Sequence, residues 1–343
     1  MRSFSSVTDF SSQNVKPSKL GKLFIPYLHD KRDLPFIYFM LQISFTFVPL
    51  AFVAFFIDNT SWLWWCIFVI YGAGLIFFAG PFILMMHNTS HRPFFKPHYK
   101  AWNRYIPWVL CPFMGQSPDT YFSHHIGMHH VENNLEKDLS TTMKYQRDSF
   151  KDFMKYFVKF LFVGVIELVE YLKYTKKEFL RKRTIRGEIF YLILSIILLF
   201  VNFRAAMMVF ILPMIVVRFS MMMGNWAQHA FIDPDHPENN YQNSITCINS
   251  VYNKRCYNDG YHIGHHIRPN LHWTEMPIDF SNNIEAYVKH KSIIFEKIDY
   301  FQIWLYLMLK KYDWLADNFV NIGDTFGSNE EVIDFMKYRL QKM

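Results

Sequence analysis

At 343 residues the chain is long enough for one large domain or two small ones. Hydrophobic residues are 51% and aromatics 19%, with 36 phenylalanines, which is rich for a soluble enzyme and suits lipid-facing surface. The net charge of +7 forms no nucleic-acid-like block of Lys and Arg, and the four cysteines show no CxxC spacing, so nothing supports a zinc knuckle or a disulfide framework. A basic surface beside apolar spans instead suits anionic head groups, an acidic electron donor or a negatively charged substrate carrier.

In chain order, Met1 to about Lys22 is Ser-rich and polar, without the apolar run of a secretory signal, and reads as a disordered or loosely attached cytosolic tail. Phe36 to Ile57 is uncharged and long enough to cross a bilayer despite Pro49 and Gln42. Asp58 to Ser61 is a polar turn, and Trp62 to Met86 is a second uncharged span that opens on Trp62, Trp64 and Trp65. It ends directly at His87, so the pair His87-Asn-Thr-Ser-His91 falls at a membrane surface.

From Arg92 to about Gly187 the chain is mixed and basic, and five prolines break its first part into short elements. The densest histidine cluster follows, Ser123-His124-His125-Ile-Gly-Met-His129-His130. Phe150 to Tyr174 reads as a helix with Lys151, Lys155, Lys159 and Lys173 on one face, suited to lying in the interface or covering a site. Arg181-Lys182-Arg183 marks a cytoplasmic side. Ile189 to Phe203 and Ala205 to Met223 are apolar again, each short against a ~30 Å hydrocarbon core. Read as one long span they send the chain to the opposite side; read as a hairpin they return it to the side of the first two histidine clusters, which a shared metal site requires, so the hairpin is expected. Next come Asn225-Trp-Ala-Gln-His229, a polar loop, and the third cluster His262-Ile-Gly-His265-His266. The tail from Asn282 reads as charged and aromatic helices capping the domain. The division expected is a tail over 1–35, one membrane-embedded domain over 36–280 and a helical cap over 281–343.

Residues three and four apart share a helix face, so HxxxH and HxxHH can each aim imidazoles at one point. Imidazole suits zinc, copper, iron and nickel. Nine or ten histidines are more than one zinc ion needs, and two metals with four or five imidazoles each fit the count.

Order, spacing and paired apolar spans together resemble the three histidine boxes of the integral-membrane fatty acid desaturase and hydroxylase superfamily, over about Phe36 to Pro277. The resemblance implies an all-α integral membrane protein: four transmembrane helices in two hairpins under a helical cytosolic cap that holds a di-iron centre. Carried over residue by residue, the ligands it implies are His87 and His91, then His125, His129 and His130, then His262, His265 and His266. The acyl-carrier branch adds a histidine after the fourth span and an asparagine four residues before it that reaches iron through water; His229 and Asn225 have that spacing. His124 exceeds the pattern and reads as a surface or supporting residue. His272 reads as shaping the site or packing, and His236 as a loop residue. Glu132, Asp138 and Asp259 are carboxylates able to accept N–H bonds from ligand imidazoles.

The resemblance further implies two iron ions, dioxygen as co-substrate, and removal of hydrogen from an unactivated methylene of an acyl chain. Loss of a second hydrogen gives a double bond, so a fatty acyl (lipid) desaturase leads; hydroxyl rebound gives an alcohol, so a hydroxylase or ketolase is the alternative. The acyl group rides on a membrane lipid, coenzyme A or an acyl carrier. The chain shows no His-Pro-Gly-Gly haem signature, GxGxxG fingerprint or cysteine array, so a separate cytochrome b5 or ferredoxin with its reductase is implied. The membrane is a bacterial inner membrane or the endoplasmic reticulum, with the site on the cytosolic face. A haem carrier or metal transporter needs ionisable ligands within the spans, and the spans contain no histidine.

Overall fold

The computed structural model describes residues 1–11 and 17–343. It is predominantly helical and divides into two compact units that interleave along the sequence. The apolar unit comprises Asn14–Gly127 and Leu168–Ser220, and the polar unit Met1–Gln13, Met128–Glu167 and Met221–Met343. Four helices are long and apolar enough to cross a membrane: α1 (Lys31–Phe56), α2 (Trp62–His91), α4 (Glu178–Val201) and α5 (Phe203–Gln228), with α3 (Phe150–Tyr174) between the pairs.

The outer faces of these helices account for the phenylalanine-rich composition. Phe45, Ile76 and Phe200 are 74%, 76% and 89% exposed, an arrangement tolerable only where the surrounding solvent is itself apolar. Prolines interrupt the helical ladder without breaking it. A π turn at Ile43–Phe47 ends two residues before Pro49, and another at Met207–Ile211 ends two residues before Pro213. Near the second, the Tyr71 hydroxyl donates to the Val209 carbonyl at 3.4 Å and the Tyr191 hydroxyl to that of Phe210 at 2.7 Å. In hydrocarbon, such carbonyls must be satisfied from within the protein.

Both hairpin turns are built by short polar side chains. The Asp58 carboxylate accepts the Thr60 N–H and hydroxyl, and Ser61 caps α2 through the Trp64 N–H. Asn202 leaves the helix in an extended conformation and caps the start of α5 through the Ala205 N–H. Arg204 donates to the Asn59 carbonyl at 2.8 Å, so the two turns lie at one end of the apolar unit. The hairpin expected for the second pair is therefore present, but its helices are longer than the apolar runs. The 24 residues of α4 begin at Glu178, with Arg181, Lys182 and Arg183 inside the helix, and α5 has 26. At ~1.5 Å per residue each exceeds a ~30 Å core. Hydropathy stops at the first charge, whereas a helix stops only when its hydrogen bonds do.

At the other end of α4, Gly187 lies against the chain entering the central histidine cluster. A Cβ there would stand 1.7 Å from the Pro118 carbonyl oxygen. Beside it, Glu188 accepts the hydroxyls of Ser117 and Thr120, and Arg183 pairs with Asp119 at 2.7 Å. Gly187→Ala is therefore expected to destabilise the protein by about 1–3 kcal/mol, seen as a lowered melting temperature in detergent; an unchanged melting temperature would contradict this close approach.

The polar unit departs from the expected helical cap. Two small parallel sheets pair β1 (Arg2–Ser3) with β4 (Val320–Asn321) and β2 (Ile245–Ile248) with β3 (Ile293–Glu296). The tail from Asn282 thus contributes strands as well as helices. Beside them Tyr261, Ile263, Met276, Phe280 and Tyr287 form an apolar core. The N-terminus, expected to be loose, is docked within this unit. The Asp9 carboxylate accepts from the Tyr261 hydroxyl, the Asn249 N–H and the Asn253 amide at 2.6–2.9 Å, and Phe10 stacks on Trp273. Polar composition alone hides such docking, because its partners lie about 240 residues away.

Candidate metal centre

In the polar unit four buried imidazoles converge: His129, His229, His262 and His266, each offering a ring nitrogen within 4.8 Å of the others. His262 Nε2 lies 3.2 Å from His229 Nε2 and 3.0 Å from His266 Nε2. The ring of His129 is 5.5 Å from that of His229 and 5.3 Å from that of His266. Nitrogens ~3 Å apart match two donors bonded at ~2.0–2.1 Å to one metal ion. His262 and His266 are one turn apart on α6 (His262–Ile267), so both face the group, while His265 points elsewhere and pairs with His130, Nε2 to Nε2, at 3.0 Å.

The electrostatics favour neutral rings. Burial and then the neighbouring His129 pull the His229 imidazolium down to about 4. Burial, with His262, His229, His130 and His129 around it, pulls His266 well below its ordinary value. A neutral imidazole at neutral pH is the form that binds a metal.

The outward-facing nitrogens of His129 and His229 are held by the protein, which fixes the tautomer of their inward-facing ones. His129 Nδ1 donates to the buried Asp138 carboxylate at 2.7 Å, and Asp138 also accepts from the Asn134 N–H, the Ser140 N–H and the Ser140 hydroxyl. His229 Nδ1 donates to the Asn243 carbonyl at 2.9 Å. Thr142 and Arg147 then anchor the chain around it, bonding the carbonyls of His229 and Ala230. Asp138, one of the three carboxylates singled out in the sequence, thus contacts a ligand-candidate imidazole. Asp259 accepts from Gln228 and the Tyr252 hydroxyl. Asn243, Ser140, Thr142 and Arg147 carried no sequence signal, since their roles depend on contacts between distant segments.

The apolar unit carries its own group. His87 and His91, one turn apart at the end of α2, meet His125, with ring centroids 4.5–5.2 Å apart. His91 Nε2 is 2.8 Å from His125 Nε2, and Tyr121 stacks on His125 at 5.3 Å. At the doublet His124-His125 the second residue is thus the one beside His87 and His91. A cavity of about 370 Å³ in this unit has Met86, His91, Cys111, Asp119, Tyr121 and Arg183 on its wall.

These groupings correct the idea that each sequence cluster aims at one point. His125 and His129 open and close a π turn, and each joins a different group. His129 and His130 are adjacent yet diverge, as do His265 and His266. Asn225, one turn before His229 on α5, donates its amide to the Ser140 carbonyl at 3.0 Å and to the Tyr156 hydroxyl at 2.7 Å. His272 is buried and bonded to Thr274, whereas His236 is exposed beside Glu238.

Four membrane-length apolar helices and clusters of buried imidazoles define an integral membrane protein equipped to hold metal. The sequence profile of the fatty acid desaturase family matches residues 60–297, well over half of the chain, and the chain belongs to that family. Neither a comparison with curated proteins nor one with solved structures found a match. Membership makes it an oxidoreductase of the desaturase and hydroxylase type acting on fatty acids.

Proposed function

We propose that this protein is a di-iron, dioxygen-dependent desaturase that introduces a double bond into a fatty acyl chain. The observation that carries the reading is the buried four-histidine group of the polar unit, an all-imidazole donor set with no thiolate among the described residues. In this reading His129, His229, His262 and His266 hold one iron. For the other iron the family resemblance implies His87, His91, His125, His130 and His265 as ligands, with Asn225 touching the centre through water. The iron pair, when bound, supplies the oxygen chemistry that takes hydrogen from an unactivated methylene.

The chain's own residues do the rest. Asp138 and the Asn243 carbonyl hold His129 and His229 in one tautomer, and the burial of the four-histidine group limits water. The cavity walled by His91 and Tyr121 receives the reacting segment of the acyl chain, borne on a membrane lipid, coenzyme A or an acyl carrier. Lysines near the site meet its head group or carrier phosphate. Electrons come from a separate cytochrome b5 or ferredoxin system at the cytosolic face.

The test is expression in a host of known lipid composition with a competent electron donor, followed by mass spectrometry of total lipids. New species two mass units lighter are expected. Hydroxylated or keto lipids would replace this reading with the hydroxylase or ketolase alternative, and an unchanged lipid profile would overturn both.

A further inference from the structure

A second cavity lies in the apolar unit, with none of the clustered histidines on its wall. It is an apolar groove of about 650 Å³ whose walls include Leu23, Tyr27, Leu41, Phe45, Trp102 and Tyr105. Its walls come from the segment before α1, the first half of α1, and the short helical stretch Pro97–Arg104. These segments are joined: Leu28 bridges to Phe95, the Tyr27 and Tyr99 rings meet edge to face at 4.9 Å, and Ser44 and Tyr105 share a hydrogen bond of 2.8 Å. The groove is therefore built, not a gap between loose ends.

Its setting is that of a membrane interface. Tyr and Trp cluster where an apolar span meets polar chain, and Leu23, Phe45 and Trp102 are 66%, 74% and 61% exposed around the groove. Charge is one-sided. Lys22, Lys96, Lys100 and Arg104 each sit next in sequence to a wall residue, and all four are exposed. The nearby Asp30 is already paired with Arg32 at 2.7 Å and Arg92 at 3.0 Å, so it leaves the cationic rim in place.

An apolar slot opening among exposed aromatics, with a cationic rim, matches one ligand chemistry: an acyl chain below and an anionic phosphate head group above. We propose that this groove is a binding site for an anionic phospholipid of the surrounding bilayer, separate from the substrate cavity beside His91. The lipid fastens the segment before α1 to the Pro97–Arg104 stretch, and so acts on the apolar unit without entering the chemistry.

The test uses the full chain in detergent, with phosphatidylglycerol and phosphatidylcholine of identical acyl chains as probes and bound lipid counted by native mass spectrometry. One phosphatidylglycerol is expected to be retained in preference to phosphatidylcholine. Lys22→Gln with Lys100→Gln should weaken retention by about fivefold per lysine, the worth of one cation near an anionic surface. Leu41→Trp, which fills the groove and leaves the rim unchanged, should abolish it. Equal retention of both lipids, or retention unchanged in either variant, would overturn the site. So would displacement of the lipid by a fatty acyl substrate, which would put the groove on the substrate path. The measurement needs neither iron nor turnover, so its failure leaves the proposed desaturase activity standing.

Discussion

Replacing His266 with alanine is expected to remove one of the two proposed irons and to lower turnover by at least ~100-fold, the upper end of what loss of an outer-sphere partner costs a metal site. His266 is the shared neighbour in the polar unit. Its Nε2 is 3.0 Å from that of His262, and its ring lies 5.0–5.3 Å from those of His129, His229 and His130. Alanine leaves the remaining imidazoles without a fourth donor. Metal analysis of the purified variant, with gel filtration to establish the fold, reads the result. Iron retained at the wild-type level would show that His266 is not a ligand. The same assay tests the register of the central cluster. His125→Ala should lose iron and His124→Ala should keep it; the reverse would mean that His124, not His125, completes the group with His87 and His91.

The second large effect is expected at a residue that touches no metal. Asp138→Asn should weaken metal binding ~10–100-fold, measured by competition with a chelator. The carboxylate takes the His129 Nδ1 proton while accepting three bonds from Asn134 and Ser140, so one buried charge fixes both the ring and the loop behind it. The amide is nearly the same size but is neutral, and one of its two heavy atoms is a donor. It must therefore give up either the ring or the loop. The Asp138→Asn chain should still fold and bind metal at raised concentration, which separates a positioning role from a purely structural one. Unchanged affinity would show that His129 is oriented without its carboxylate.

Much of the fold was legible because the signals that set it are local. Two uncharged runs of more than twenty residues located the first pair of spans, and two shorter apolar runs, read as a hairpin because a shared metal site requires it, located the second; Asp58 and Asn202 had the polar character of the turns they build. The Lys-lined stretch Phe150–Tyr174 is a helix over those same residues. Boundaries were less legible at α4 and α5, where charged residues continue the helix beyond its apolar part. The docked N-terminus was missed because Asp9 and Phe10 gain their meaning only from Tyr261, Asn253 and Trp273.

The sequence by itself determined that this is a membrane protein with clustered imidazoles, since a bilayer demands long apolar helices and i, i+4 spacing puts histidines on a common face. It also singled out Asp138 as a carboxylate within reach of the central cluster. Tertiary structure alone decided how the histidines are shared out. The π turn from His125 to His129 adds a residue to its turn, so rings four apart in sequence join different groups, and the neighbours His129 and His130 diverge. It also decided that His229 and His262, 33 residues apart, stand 3.2 Å from each other, and that a backbone carbonyl at Asn243 orients one of them. No spacing rule reaches such contacts, because direction around a helix is local while convergence depends on how distant elements pack.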